Sequence, residues 1–186
     1  IGESWHSQLR SRRNQGTGCY SRGKMLLLSG PTAAGKNTVG RLLARHQKRC
    51  AVVDFDLIRV MFVEPHRAPW QGEEGRHQQE LGIELVCQVA LGLDRAGWKV
   101  IILDVVTNDV YPIYQERLQA VNLRTVQLLP TFEETRRRFH KRGPGLGPEE
   151  FMQVYRDQEA FSGAELRIDN SHISPQAVAE QLQAYL

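Results

Sequence analysis

Gly30-Pro31-Thr32-Ala33-Ala34-Gly35-Lys36 sets two glycines and a lysine at the spacing GxxxxGK, between an apolar run and a helical pattern. Glycines let a chain curl until several backbone N–H groups point inward, and such a concavity holds phosphate oxygens. A helix beginning near Lys36 adds the positive end of its dipole at the same point. Lys36 then reaches the outer phosphates of a bound polyphosphate and follows charge as it develops there. Gly30, Thr32, Ala33, Ala34, Gly35, Lys36, Asn37 and Thr38 are therefore the candidate nucleotide-binding residues.

The position after the lysine usually carries Ser or Thr, whose hydroxyl binds Mg²⁺. Here it is Asn37, and Thr38 follows. An amide oxygen is a poorer, neutral donor, though it can ligate or hold a metal water. The loop resembles the adenylate-kinase variant GKGT, which also places Thr one residue later, so Thr38 shares the metal role with Asn37. Val100-Ile101-Ile102-Leu103-Asp104 is four apolar residues and a carboxylate, the pattern of a buried strand that delivers Asp104 to the metal or its waters.

Val53-Asp54-Phe55-Asp56-Leu57-Ile58-Arg59 closes a second strand pattern. A carboxylate there can accept the proton of an attacking hydroxyl while aligning it with a terminal phosphate. Asp56 lies farther beyond the strand than Asp54 and is the preferred base; capping of the following helix is its alternative role. Asp54, Arg59 and Trp70 are the candidate substrate contacts, Arg59 for an anionic or polar group and Trp70 for a ring. A surface ion pair and plain packing are their respective alternatives. Glu133–Arg142 reads EETRRRFHKR before a Gly/Pro-rich loop, which suits a lid. Arg138 and Arg142, four apart on one helix face, are the candidates to neutralise the transferring phosphoryl. Ile168-Asp169-Asn170-Ser171 ends the last strand pattern where a nucleotide base would lie.

The elements that must position these residues alternate. Strand patterns cover 25–29, 51–55, 99–104, 124–129 and 165–169. Helical patterns cover 38–47, 76–96, 109–121, 132–142, 149–161 and 175–186. In the second of these, Leu81, Leu85, Val86, Val89 and Leu93 form the apolar stripe. Strand–helix alternation with continuous apolar strands means an α/β fold whose parallel sheet is covered on both faces. Ligands of such sheets bind at the carboxyl ends of the strands.

The 186 residues suffice for one domain with a tail, and no apolar run approaches the length of a membrane span. In residues 1–24, Arg10, Arg12, Arg13, Arg22 and Lys24 face only Glu3. That segment therefore carries +4 of the net +3, and the rest of the chain carries −1. Basicity confined to a tail is no ground for inferring nucleic-acid binding by the folded part. Cys19, Cys50 and Cys87 lack metal or disulfide spacing and read as free thiols of a cytoplasmic protein. Residues 1–24 lack periodicity and read as a flexible basic extension, with the domain proper spanning 25–186.

Taken in order, GPTAAGKNT (30–38), DFDLIR (54–59), VIILDVVTND (100–109), RRRFHKRG (136–143) and RIDNSHISPQAVAEQL (167–182) resemble a known group. This is the small P-loop kinases of the nucleoside-monophosphate-kinase class, chloramphenicol-phosphotransferase-like and zeta-toxin-like. The resemblance implies a P-loop NTPase fold with a five-stranded parallel sheet in order 2-3-1-4-5, helices on both faces and a small helical lid. It also implies ATP with Mg²⁺ as donor and Asp56 as base. Acceptors in that group range from antibiotics and sugars to nucleotides and nucleic-acid ends. A small-molecule hydroxyl is the favoured acceptor. A polynucleotide 5′-hydroxyl is the second reading, and an ATP-binding regulator weakened at Asn37 is the third. No element requires a partner chain, so a monomer is expected. Deleting residues 1–24 is expected to leave ATP turnover intact; a truncated protein that folds but has no turnover would refute the assignment of the tail.

Overall fold

The computed structural model describes residues 24–143 and 145–186. The tail assignment covers residues 1–24, of which 1–23 lie outside the described residues; Lys24 begins the first strand. The first strand shows why the chain folds as it does. Met25, Leu26, Leu27 and Leu28 are all fully buried. Successive strand residues face opposite sides of a sheet, so four buried neighbours require a cover on each face. Met25 and Leu27 pack with Ile83, Val86, Cys87 and Tyr114 on one side. Leu26 and Leu28 pack with Val39, Leu43, Val178 and Leu182 on the other.

The elements follow the sequence pattern closely. They are β1 (Lys24–Ser29), α1 (Lys36–Arg45), β2 (Cys50–Asp54), α2 (Phe55–Arg59), α3 (Gly72–Arg95) and β3 (Lys99–Leu103). After these come α4 (Tyr111–Arg117), β4 (Asn122–Leu128), α5 (Phe132–Arg142), α6 (Pro148–Ala160), β5 (Leu166–Ile168) and α7 (Pro175–Gln181). A 3₁₀ turn over Leu182–Tyr185 ends the chain. The five strands form one parallel sheet in the order β2-β3-β1-β4-β5. The expected order, the helices on both faces and the helical pair α5–α6 are all present. Their carboxyl ends bring Ser29, Asp54, Leu103, Leu128 and Ile168 to one edge.

Two expectations need correction. The helix expected over 109–121 is only Tyr111–Arg117, with Pro112 in its first turn as expected. The stripe on α3 is buried only in part: Val86 is buried and Leu93 packs against the core, but Leu81 and Val89 are 37% and 45% exposed. The face that packs is Gly75, Gln78, Gly82, Ile83, Val86, Cys87 and Ala90. Small residues and a glutamine do not register as an apolar stripe, yet they are what a crowded face requires. A Cβ on Gly75 would lie 1.9 Å from the Ala68 carbonyl oxygen, so the 62–71 loop presses directly on this helix. Gln78 holds the same loop, accepting from the Arg67 N–H (3.0 Å) and donating to the Pro65 carbonyl (2.8 Å).

Below the site lies a buried polar knot. Ser29, Gln127 and Gln158 are fully buried. Gln158 Oε1 accepts from Ser29 Oγ and from Gln127 Nε2, each at 3.1 Å, and its Nε2 donates to the Val106 carbonyl at 2.6 Å. Ser29 Oγ in turn accepts from the Val106 N–H at 3.1 Å. Buried polar groups left unpaired cost about 1–3 kcal/mol each. Gln158→Leu is therefore expected to lower stability by about 3 kcal/mol, read as a fall in the urea midpoint at unchanged m-value.

Candidate active site

The phosphate loop is shaped by contacts as well as by composition. Gly30 has φ +149°, and a Cβ there would sit 2.4 Å from the Leu128 carbonyl oxygen, so no side chain fits. Gly35, also left-handed, is the N-cap of α1. Lys36 Nζ donates to the carbonyls of Gly30 (2.7 Å) and Pro31 (3.1 Å), folding the amine over the loop. Burial pulls Lys36 down to about 8, against the attraction of Asp56, Asp104 and Asp54, with Arg142 adding repulsion.

Lys36, Thr38, Asp56, Arg138 and Arg142 line a pocket of about 330 Å³ over this loop, together with Thr32, Ala33, Gly35, Asn37 and Val105. The two lid arginines differ sharply. Arg138 is pinned: Nε donates to Glu134 (2.7 Å), Nη2 to the Asn170 and Ser171 carbonyls (2.8 and 3.3 Å), and Nη1 to the Ala34 carbonyl (3.4 Å). Hydrogen bonds from Arg137 and Arg138 hold the Glu134 carboxyl down at about 2. Arg142, exposed in the last turn of α5, has no side-chain partner among the described residues. The 169–171 turn is likewise tied to the loop, since Asn170 Nδ2 donates to the Ala34 carbonyl at 2.9 Å.

Asp104 is 6% exposed and accepts from Tyr114 Oη (2.8 Å) and the Val105 N–H (2.7 Å). Burial pushes its carboxyl up to about 6 despite those bonds and Lys36. A buried carboxylate in this condition favours a neighbouring cation. Asn37 Nδ2 donates to Asp54 Oδ2 at 2.5 Å, which leaves its amide oxygen as the metal-directed atom. No cluster of three or more His, Cys, Asp or Glu side chains that could hold a metal occurs among the described residues. One carboxylate with neutral oxygens from Asn37 and Thr38 fits Mg²⁺, which keeps most of its waters and draws other ligands from phosphate.

Asp54 and Asp56 divide the roles that the sequence left open. Asp54 is the helix cap: its Oδ1 accepts from the Asp56 N–H at 3.1 Å, and its other oxygen holds Asn37. It lies outside both cavities and does not reach the acceptor side, contrary to its expected substrate contact, because both of its oxygens are engaged inward. Asp56 is exposed, has no side-chain partner among the described residues, and lines both the phosphate-loop pocket and a larger cleft.

That cleft encloses about 820 Å³ and meets the first pocket at Thr32, Asp56 and Val105. Arg59 lines it, donating Nη2 to the Arg67 carbonyl (2.6 Å) while its buried Nε has no partner. Burial lowers the Arg59 pKa, against Asp56 and Asp104. Trp70 is 48% exposed at the cleft and donates Nε1 to Glu150 on α6 at 3.0 Å. Sequence reasoning missed the α6 wall. Glu149, Gln153 and Asp157 line the cleft at four-residue spacing, a helical periodicity that polar residues carry as plainly as apolar ones.

The five-stranded parallel sheet with its covering helices is shared with solved kinases. A sugar kinase from Janibacter sp. HTCC2649 aligns with a TM-score of 0.64 at 15% identity, covering 88% of this chain and 94% of the other. The tunicamycin resistance protein of Deinococcus radiodurans gives 0.64 at 17%, covering 88% and 95%. The APS kinase of Mycobacterium tuberculosis, solved with AMPPNP and APS, gives 0.61 at 16%, covering 88% and 97%. No protein-family model matches the sequence, and no curated protein matches it. The chain therefore has the P-loop kinase fold.

The Lys36 pKa near 8 makes a measurable prediction. A bound polyphosphate favours the ammonium form and raises that pKa, so binding above pH 8 takes up a proton. At pH 8.5, calorimetric titration with AMPPNP in buffers of different ionisation enthalpy is expected to show net proton uptake. Lys36→Met is expected to abolish the uptake. Affinity falls as pH rises through 8, approaching a factor of about ten per unit.

Proposed function

We propose that this protein is an ATP-dependent phosphotransferase that moves the γ-phosphoryl group to a hydroxyl of a small molecule. The observation that carries the reading is the place of Asp56, at the junction of the phosphate-loop pocket and the large cleft. A hydroxyl held in the cleft beside Asp56 faces a γ-phosphate held by the loop. The bond from the γ-phosphorus to the β,γ-bridging oxygen breaks, and a bond to the acceptor oxygen forms. The acceptor proton passes to Asp56, and the products are ADP and a phosphate monoester. Lys36 and Arg142 offset charge on the transferring group, while Arg138 braces the loop against α5 and the 170–171 turn. Asp104, Asn37 and Thr38 would hold Mg²⁺, which supplies charge neutralisation between the phosphates.

The kinases that share the fold support this class of reaction, and those named above include kinases for a sugar and for APS. A small acceptor is favoured over a nucleic-acid strand because the cleft is lined by six carboxylates against two arginines. Free Cys50 and buried Cys87, the latter pushed up to about 12 by burial, suit a reducing cytoplasm. Among the described residues no helix is long and apolar enough to cross a membrane.

The test is ADP release with Mg²⁺ and ATP across a panel of hydroxyl compounds. Asp56→Asn is expected to lower kcat by about 10²–10⁴ with nucleotide binding retained. Lys36→Ala is expected to lose both. Asn37→Ser is expected to lower the Mg²⁺ concentration needed for half activity. AMPPNP binding with no acceptor-dependent turnover, in the native chain and in Asn37→Ser alike, would overturn the enzyme reading in favour of an ATP-binding regulator.

A further inference from the structure

The large cleft has charged walls of opposite sign. On the side built by α2, α3 and the loop between them, Arg59 and Arg76 are its only charged side chains beyond the base Asp56. On the α6 side the charged side chains are Glu149, Glu150 and Asp157, with no base among them. Opposite charges on facing walls ordinarily pair. Here none of the ion pairs among the described residues involves Arg59, Arg76, Glu149, Glu150 or Asp157. The single polar bond between the walls is the one from Trp70 to Glu150.

What each group does instead is informative. Glu150 is occupied by Trp70 and by the Gly147 N–H at 2.7 Å. Asp157 accepts only from Gln153, one turn back on its own helix, at 2.8 Å. Glu149 and Arg76 have no side-chain partner among the described residues. Arg59 keeps a buried Nε without an acceptor. A buried donor without a partner in a cleft is completed by a ligand more cheaply than by water. Two separated sets of charge without ion-pair partners among the described residues, one positive and one negative, are complementary to a molecule that carries both signs. A polyanion meets the α6 carboxylates, a plain cation meets the arginines, and a neutral polyol satisfies neither.

On the phosphotransferase reading of this same cleft, we infer that the acceptor is a hydroxylated zwitterion. Its anionic group lies toward Arg59 and Arg76, its amine toward Glu149 and Asp157, and the hydroxyl between them lies at Asp56. An amino sugar acid or a hydroxylated amino acid has this chemistry.

Four sugars of one ring size test the charge logic with the full chain: glucose, glucuronate, glucosamine and muramic acid, which carries both a carboxylate and an amine. Each is titrated against Trp70 fluorescence in the presence of Mg²⁺ and AMPPNP, with Trp70→Phe as the control. Each is also assayed for ADP release with Mg²⁺ and ATP. Muramic acid is expected to bind about tenfold or more tightly than any of the other three. Arg76→Gln is expected to weaken muramic acid and glucuronate selectively, and Asp157→Asn muramic acid and glucosamine selectively, each by about tenfold. Glucose binding as well as muramic acid, or either variant weakening all four sugars alike, overturns the inference. Failure of all four to bind overturns it too. Selective muramic acid binding without ADP release upholds the zwitterion and sinks the transferase reading instead, so the two ideas fail separately.

Discussion

The side chain of Gln158 is where three otherwise separate parts of the site are held together. It joins the end of β1, which launches the phosphate loop, to the Val105–Val106 segment behind Asp104, and both of these to α6, whose outer turns line the cleft. None of the four partners is accessible to water as a substitute, since Ser29, Gln127, Gln158 and Val106 are fully buried. The knot is therefore satisfied only in one arrangement. Polar networks in a low-dielectric interior penalise every displaced alternative more than apolar packing does. The phosphate-loop pocket, Asp104 and the α6 wall of the cleft keep a common frame for this reason.

Around that frame the charges are set against their ordinary values. Asp104 resists ionisation because it is buried, and Lys36 resists protonation for the same reason. Each is held at a cost that a bound partner of opposite sign relieves, so the resting site is poised toward phosphate and cation together. Arg138 contributes differently. With its bonds spread over Glu134, Ala34, Asn170 and Ser171, it acts as a brace between the lid helix and the nucleotide side of the loop, while Arg142 remains the unconstrained cation.

The donor half of the site could be read directly from the chain because it is contiguous. Residues 30–38 carry their own spacing, and the five strands announce themselves as apolar runs between helical periods. Of the acceptor half, only Asp56, Arg59 and Trp70 could. Arg76, Glu149, Gln153 and Asp157 come from two helices some seventy residues apart, and no spacing rule links them before the sheet brings α3 and α6 to one edge. The α3 stripe caught only part of the packed face for a related reason: close approach selects Gly75, Gly82 and Ala90, which carry too little apolar surface to signal burial. Asp54 and Asp56 were separable only by direction. One ends β2 and the other lies two residues on, yet the first turns inward to Asn37 and the second outward to two cavities.

The Trp70–Glu150 bond has a consequence for traffic rather than for affinity. It joins the two walls, so a molecule wide enough to touch both must open it on the way in and can see it reclose on the way out. Where it recloses over a molecule held between the walls, an exposed hydrogen bond of this kind, worth about 1 kcal/mol, slows entry and exit by similar factors and cancels from the equilibrium. The residence time of a molecule held there, more than its occupancy, would then depend on an indole that lines the cleft.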